Sequence, residues 1–312
     1  MSTDLYCIVN PESGGGSSSK KVKPITATLD KMNVAHEVLY TKSKGHATAL
    51  ARELVKAQVP AIAAVGGDGT VSEVAAGFFT EEGQLIQGKE KKTKILIVPT
   101  GSGCDLARTL NLPSKLSACI SLFKEGEPRN IDMGIVQSVE EDGTPITRPF
   151  INIVDVGMGG EVIEIMEQKG KGWFPTLDYL FSTVQGLIQY ENKLLEVEAE
   201  GNTIKKEMNI AVVANGKFFG SGMKIAPTAD PFDGKFTVVI IDAMSKPYLI
   251  SKLGALREGR HMNQPGVTVF EAKKVKISSP SRAMLDLDGE LAGVCPMEVS
   301  MVESAVPVFL PK

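Results

Sequence analysis

Two loops of this 312-residue chain carry residue types that handle phosphate. The first, Gly66-Gly67-Asp68-Gly69-Thr70, lies between an apolar run and a helical pattern. Glycines let the backbone turn sharply and approach a ligand closely. The helix behind them presents unpaired N–H groups and a positive dipole end to an anion. Asp68 would repel a bare phosphate, so a carboxylate there implies a bridging Mg²⁺ or a polarised hydroxyl. The same residues also read as a tight strand–helix turn capped by Asp68 or Thr70. The second loop, Pro99-Thr100-Gly101-Ser102-Gly103-Cys104-Asp105, repeats this grammar after the next apolar run.

Other phosphate sites fit poorly. No GxxxxGK[ST], HRD or DFG sequence occurs. A dinucleotide fold wants GxGxxG after the first strand and an acid ending the second. Here the spacing differs and the second strand ends in Tyr40-Thr41. A third cluster, Asp286-Leu287-Asp288-Gly289-Glu290, crowds three carboxylates. Strand alternation predicts that Asp286, Asp288 and Glu290 share one face. Such crowding calls for a metal, a cation or a retained proton, and one carboxylate could serve as general base. A solvated strand ending in an ordinary turn is the other reading.

The elements that position these loops begin with an alternation of strand and helix. Apolar runs at Leu5–Val9, His36–Tyr40, Ala61–Val65 and Lys94–Val98 predict four strands. Ala47, Leu50, Ala51, Leu54 and Val55 form one helical face between the second and third, and Val71, Val74, Ala75 and Phe78 another before the fourth. Strands joined by helices predict a parallel sheet covered on both faces, with ligands bound beyond the strands' carboxyl ends. The loops Asn10–Gly16, Gly66–Thr70 and Pro99–Asp105 should therefore open at one rim.

After about Ile131 the texture changes to short runs rich in Val, Ile and Phe: Ile131–Val136, Phe150–Val156, Leu194–Ala199, Met208–Val213, Phe236–Ile241, Val267–Phe270 and Val275–Ile277. Asp142-Gly143, Gly201-Asn202 and Asp233-Gly234 punctuate them as turns. This predicts a second, mainly antiparallel β domain with helices at Thr176–Tyr190 and around Tyr248–Arg257. The expected division is 1–130 for an α/β nucleotide-binding domain, 131–296 for a β-rich substrate domain, and 297–312 for a final strand-like segment.

Composition is globular, 43% apolar and 23% charged, and the net charge of −3 gives no global field for nucleic acid. Lys89–Lys94 reads as a solvated basic loop. Four scattered cysteines and three scattered histidines exclude a structural zinc pattern and fit a reducing cytoplasm. Neither a leader pattern nor an apolar run of membrane-spanning length is present.

Taken together, NPxSGG (Asn10–Gly15), GGDGT (Gly66–Thr70), PxGSGxDLAR (Pro99–Arg108) and DGE (Asp288–Glu290) resemble the diacylglycerol kinase catalytic-domain family. That family includes bacterial diacylglycerol and phospholipid kinases and the sphingosine and ceramide kinases. Phe150-Ile151-Asn152 with Gly157, Asn215-Gly216, Gly222-Met223, Ala226-Pro227 and Asp230–Phe236 extend the resemblance over nearly the whole chain. GGDGT alone is shared with NAD kinases and related phosphofructokinases, so the combination carries it.

The resemblance implies an NAD kinase/diacylglycerol kinase-like fold with an interdomain cleft for the lipid headgroup, and a final segment returning to the first domain. It implies transfer of the γ-phosphate of ATP, with Mg²⁺, to a hydroxyl of a lipid. The acceptor is left open among diacylglycerol, phosphatidylglycerol and a sphingoid base. Asn10, Ser13, Thr41, Gly66, Gly67, Asp68, Gly69, Thr70 and Ser102 would bind ATP, with Asp68 also organising the catalytic Mg²⁺. Glu290 would be the base and Asp288 would support the metal. Asp233 would hold a structural Mg²⁺ with the carbonyls of Asp230 and Lys235. Such an enzyme visits a membrane surface peripherally, as a monomer or homodimer. Leu177, Leu180, Phe181, Val184, Leu187 and Ile188, preceded by Trp173 and Phe174, form a face that would lie on a bilayer, line an acyl groove or join a core. Two departures stand out: Cys104 replaces a common Asn, and Gly157-Met158-Gly159-Gly160 lacks the carboxylate of a GxDA stretch. The other readings are an NAD kinase-like enzyme on a soluble nucleotide and a non-catalytic nucleotide- or lipid-binding regulator.

Overall fold

The computed structural model describes residues 3–88, 92–101, 103–169 and 190–312. The chain divides into two units, residues 1–132 with 303–312, and residues 133–302. Ser102, Trp173, Phe174, the predicted helix short of Tyr190, and part of the Lys89–Lys94 patch lie outside the described residues.

The first unit contains β1 (Leu5–Val9), α1 (Ser17–Lys31), β2 (His36–Tyr40), α2 (His46–Lys56), β3 (Ala61–Gly66), α3 (Asp68–Ala76), β4 (Lys94–Pro99), α4 (Asp105–Thr109) and α5 (Leu116–Glu125). Strands β4, β3, β1 and β2 lie side by side and parallel. The end of the chain's last strand adds beside β4, Val308 opposite Ile95. One face of the sheet, with Leu5, Cys7, Val65 and Leu96, packs on Ile25 and Leu29 of α1 and on Ile120 of α5. Burial pushes the Cys7 thiol up to about 12, as expected of a cysteine used as a small hydrophobe. Helix α2 buries Ala47, Ala51 and Val55, the stripe that the sequence spacing predicts.

The second unit takes up the chain within β5 (Glu127–Val139), whose residues up to Asp132 belong to the first, and continues through β6 (Pro145–Phe150), β7 (Ile153–Gly157), α6 (Met158–Lys169), β8 (Lys193–Ala199), β9 (Asn202–Ala214), β10 (Phe236–Asp242), α7 (Lys246–Glu258), β11 (Val267–Ala272), β12 (Lys274–Ser278), β13 (Met284–Leu287) and β14 (Glu290–Leu310), whose final residues belong to the first unit. Antiparallel pairings run in a ring from β7 through β13, β14, β12, β8 and β9 back to β7. Strands β10 and β11 extend outward from β9. A core of Phe150, Val154, Val156, Val213, Phe236, Leu285 and Met297 fills the interior. Phe150 stacks on Phe236 with ring centroids 5.7 Å apart.

Two expectations are corrected here. The run Phe150–Val156 is not one strand but is broken at Ile151-Asn152, where the backbone turns its N–H groups toward a carboxylate. The glycine-rich Gly157–Gly160 stretch, read without a helix, closes β7 at Gly157 and opens α6 at Met158. Its glycines serve contact: a Cβ on Gly160 would stand 2.7 Å from Met284 Cβ, and one on Gly159 would stand 2.1 Å from Asp155 Oδ1. Close seating on the sheet, rather than helix propensity, selects glycine there. Among the described residues no helix is long and apolar enough to cross a membrane.

Candidate active site

In the first unit the glycine loops follow β1, β3 and β4 at the carboxyl ends of the parallel strands. Asn10 donates its N–H to Val65 O at 3.2 Å, and its side-chain oxygen accepts the Glu12 N–H at 3.0 Å. Thr41 donates its N–H to Val9 O at 2.9 Å, which sets it at the same rim. Gly66 O accepts the N–H groups of Thr100 at 2.8 Å and Gly101 at 3.2 Å, tying the two phosphate-type loops together. A Cβ on Gly101 would lie 2.6 Å from Gly67 Cα, and one on Gly66 would lie 2.2 Å from Thr70 Oγ1. Ser13 Oγ stands 3.4 Å from the Cβ position of Gly67, whereas the Cβ position of Gly69 is open. Thus Asn10, Ser13, Thr41 and Gly66–Thr70 are brought to one rim.

Asp68 opens α3, where the helix's positive end favours a carboxylate. Its Oδ1 accepts the Leu106 N–H at 3.2 Å, so one side chain also caps α4. Cys104 sits before that helix with φ +54°, a left-handed conformation uncommon for non-glycine residues. Its thiol donates to Gly101 O at 3.3 Å. Burial first, and then the Asp68 charge, push this thiol up to about 11, so it stays neutral. Lys21, which the sequence reading did not single out, donates from Nζ to Thr100 O at 3.0 Å. The only sequence signal for it is its place one turn into the helix behind Gly14–Gly16.

In the second unit the DGE residues form a hairpin turn, not a continuous strand. Leu287 and Glu290 pair across a two-residue loop in which Asp288 and Gly289 have φ of +52° and +89°. Asp-Gly is the composition such a turn favours. The expected single face of three carboxylates is therefore replaced by three separate environments. Asp288 accepts the N–H groups of Ile151 at 3.1 Å, Asn152 at 3.1 Å and Ile153 at 2.8 Å. That triple acceptance is what breaks the predicted Phe150–Val156 strand.

Glu290 opens β14 and its Oε2 accepts from Arg148 Nη2 at 3.0 Å, while Arg148 Nη1 donates to Leu291 O at 3.2 Å. The guanidinium supplies the cation that the crowded carboxylates call for. Asp286 accepts the Gly289 N–H at 2.8 Å and stands opposite Asp155 of β7 in register. Asp155 is fully buried, and neither of its carboxyl oxygens has a hydrogen-bond partner among the described residues. Burial, followed by the neighbouring Asp286, holds its pKa well above the usual carboxylate range. Burial also pushes Asp286 up to about 7, with Asp288 and Glu290 adding to the rise. Both shifts favour the protonated carboxyl.

The Asp230–Lys235 loop folds on itself, Asp230 Oδ1 accepting the Phe232 N–H at 3.2 Å and Asp233 Oδ1 the Lys235 N–H at 2.9 Å. Burial leads in raising Asp233, and the charges of Asp230 and Glu271 add to it, a crowding that a cation would relieve. A carboxylate with backbone carbonyls is a hard oxygen set of the kind Mg²⁺ takes. Among the described residues no three His, Cys, Asp or Glu side chains cluster as a ready metal site. A metal at Asp68 or Asp233 would then complete its shell with water, carbonyls or phosphate, as Mg²⁺ commonly does.

The second unit also holds an apolar recess under α7. Its walls include Met158, Ile210, Ile241, Leu249, Leu253 and Leu256, and its empty volume, open mouth included, is about 640 Å³.

Comparison with known proteins agrees with this layout. Residues 4–136 match the diacylglycerol kinase catalytic domain, and residues 152–310 the YegS C-terminal NAD kinase beta sandwich-like domain. A diacylglycerol kinase of Staphylococcus carnosus (strain TM300) is 26% identical over 98% of this chain and 94% of its own length. A diacylglycerol kinase of Staphylococcus aureus (strain MRSA252) is 26% identical over 97% of this chain and 91% of its own. A crystal structure of a diacylglycerol kinase from Bacillus anthracis str. Sterne shares the fold, with TM-score 0.67 and 19% identity over 99% of this chain and 97% of that one. Yeast NADH kinase complexed with NADH is more distant, with TM-score 0.52 and 10% identity over 100% of this chain and 84% of that one. The chain belongs to the diacylglycerol kinase catalytic-domain family and, at the level of that family, is a lipid kinase.

Proposed function

We propose that the protein transfers the γ-phosphate of ATP to a hydroxyl of a membrane lipid, with Mg²⁺ as the metal. The observation that carries the lipid half of this reading is the recess under α7. Its walls are mostly apolar, with Ile210, Phe219, Ile225, Ile241, Leu253 and Val267 among them, and Asn209, Lys252, His261 and Gln264 stand between them.

In this reading the rim formed by Asn10, Ser13, Thr41 and Gly66–Thr70 holds the triphosphate, with Lys21 near enough to Thr100 to add a positive charge; Ser102 is assigned to the same ligand from the sequence motif alone. Bound Mg²⁺, held by Asp68, would neutralise phosphate charge. Asp233, with the carbonyls of Asp230 and Lys235, would hold a second, structural Mg²⁺. Glu290 takes the proton of the acceptor hydroxyl as its oxygen bonds to the γ-phosphorus and the bond to the β–γ bridging oxygen breaks. The products are ADP and a lipid phosphate monoester. Asp288 fixes the turn that aims Glu290, its hydrogen bonds to residues 151–153 serving as the anchor.

The fold likeness to yeast NADH kinase supports a second reading, phosphorylation of a soluble nucleotide. Incubation with γ-labelled ATP, Mg²⁺ and mixed-lipid vesicles, followed by extraction into organic solvent, separates the two. Label in a lipid that disappears with Asp68→Ala supports the proposal and names the acceptor. Label on NAD with none in lipid replaces it with the second reading. ATP binding with no transfer to any acceptor would leave a regulator.

A further inference from the structure

Asn152 has a side chain that the proposed reaction leaves without a task. It is 6% exposed and stands at the break between β6 and β7. Its N–H donates to Asp288 Oδ1 at 3.1 Å, so its backbone helps to hold the turn before Glu290. Its side chain reaches the other way, Nδ2 donating to the Phe218 carbonyl at 3.0 Å. A carbonyl only accepts, so this partner fixes which end of the amide is nitrogen. The amide oxygen is buried with no partner among the described residues, which leaves the bond to Phe218 to hold the side chain.

Phe218 adjoins a wall of the recess under α7, for Phe219 and Ile225 both line it. The wall is braced within itself. Phe219 and Met223 exchange N–H to carbonyl bonds at 3.0 Å each, and Ala226 donates its N–H to Lys217 O at 3.2 Å. Buried His261, another lining residue, bonds the Ile225 carbonyl through Nε2 at 2.9 Å. Asn215 and Gly216 donate their N–H groups to Asn152 O at 2.9 and 3.0 Å, but they secure only the root of the loop, where β9 ends. A loop so braced shifts as a unit when the recess fills, and the Asn152 amide is where its Phe218 end meets the Asp288 turn.

From these contacts we infer that Asn152 is a positioning residue, passing the seating of an acceptor's apolar chain in the recess to the turn that aims Glu290. Binding energy gained far from the reacting hydroxyl raises kcat only where a contact carries it to the reacting groups. Here that contact is Asn152, with the recess wall on its side chain and Asp288 on its backbone. An acceptor with a long chain then turns over faster, rather than merely binding more tightly. A short-chain alcohol reacts slowly at the same base. The inference rests on the lipid-kinase reading for the roles of Glu290 and the recess, whereas its main test uses no ATP.

That test is amide hydrogen exchange of the purified full chain with and without 1-decanol, an uncharged chain for the recess to seat. In wild type, decanol should slow exchange at Phe219 and Met223. It should also slow Ile151, Asn152 and Ile153, whose N–H groups bind Asp288, by about tenfold. Asn152→Leu keeps the size of the side chain, adds no charge and removes the donor to Phe218. It should retain the slowing at Phe219 and Met223 and lose it at Ile151 and Ile153. Kinetics with labelled ATP on dihexanoylglycerol and didecanoylglycerol run beside it. The longer chains should raise kcat by about tenfold in wild type and alter KM alone in Asn152→Leu. A purely structural role for Asn152 would slow both substrates by one factor. Wild-type exchange at Ile151–Ile153 that ignores decanol, a response there kept by Asn152→Leu, or a chain-length gain in kcat kept by that variant each overturns the inference. No change at Phe219 or Met223 in wild type overturns it too, by removing the recess as a seat for chains. Should Asn152→Leu not fold, the wild-type exchange decides alone. Transfer to neither glycerol lipid would count against the kinase reading, while the exchange result stood on its own.

Discussion

Arg148 grips the opening of β14 with both arms of its guanidinium, one on Glu290 Oε2 at 3.0 Å and the other on the Leu291 carbonyl at 3.2 Å. The fork holds a carboxylate and the backbone that carries it as one body. A lysine could reach one of these acceptors but not both in that geometry. Arg148→Met is therefore expected to lower kcat by about 10- to 100-fold with KM for ATP little changed, through loss of the ion pair with Glu290 and the bond to the Leu291 carbonyl. Arg148→Lys should recover only part of the loss. Steady-state kinetics with a pH profile would check both, and unaltered kcat in Arg148→Met would remove the residue from the reaction.

Asp68 has a charge and a capping contact, and two substitutions separate them. Asp68→Asn keeps an oxygen for the Leu106 N–H while removing the charge. It should abolish turnover and leave thermal stability near that of wild type. Asp68→Ala should lose turnover as well and also cost about 0.5–2 kcal/mol, the usual price of a lost helix cap. Calorimetry beside the transfer assay reads the two effects. Near-wild-type turnover in a folded Asp68→Asn would end the assignment of Asp68.

Gly159 and Asp155 share one small space. A methyl group on Gly159 would stand 2.1 Å from Asp155 Oδ1, so Gly159→Ala must displace a carboxyl group that is already fully buried. We expect a loss on the order of 1–3 kcal/mol, as for other overpacked sites. The double variant Gly159→Ala/Asp155→Ala should recover much of it, a coupling measurable by a double-mutant cycle in denaturant. Simple additivity would show that the two positions do not compete.

The same carboxyl predicts a pH dependence. Asp155 and Asp286 both have pKa values raised by burial, Asp286 to about 7 from a usual value near 4. The folded form therefore binds protons that the unfolded chain has released. Their contribution is fully present below the unfolded pKa and is lost as pH rises through the folded one. Stability should fall on going from about pH 4 toward and beyond pH 7, by on the order of 1.4 kcal/mol per pH unit for each group titrating in the unfolded chain alone. Asp155→Asn should flatten that slope, its melting temperature gaining on wild type at pH 8 more than at pH 5. Parallel curves for the two proteins would show that Asp155 does not carry this linkage.

Much of this architecture was legible in the sequence, because the strongest patterns are local. The runs Leu5–Val9 and His36–Tyr40 are β1 and β2 to the residue, since a proline and a change of polarity punctuate them. The Ala47–Val55 stripe is likewise the buried face of α2. What escaped the pattern depends on distant partners. Asp288 was read by strand alternation, but its Asp-Gly pair forms a turn whose carboxylate is claimed by three N–H groups 135 to 137 positions away. Arg148 carries no motif, and its meaning comes only from Glu290, 142 positions later. Helix α6 was hidden because its glycines, poor helix formers, are there to touch Met284 and Asp155.

The course of β14 bears on how the chain is made. Residues 303–312 belong to the unit that otherwise ends at Asp132, and Val308 lies against Ile95 at the margin of its sheet. Phe309, in the same strand, meets Phe123 in a tilted ring contact with centroids 5.6 Å apart. The unit synthesised first therefore lacks a strand until all 170 residues of the other, 133–302, have been translated. A nascent chain would carry the exposed margin of β4 through that interval, an unpaired edge open to wrong partners. On the ribosome, this protein completes its beginning last.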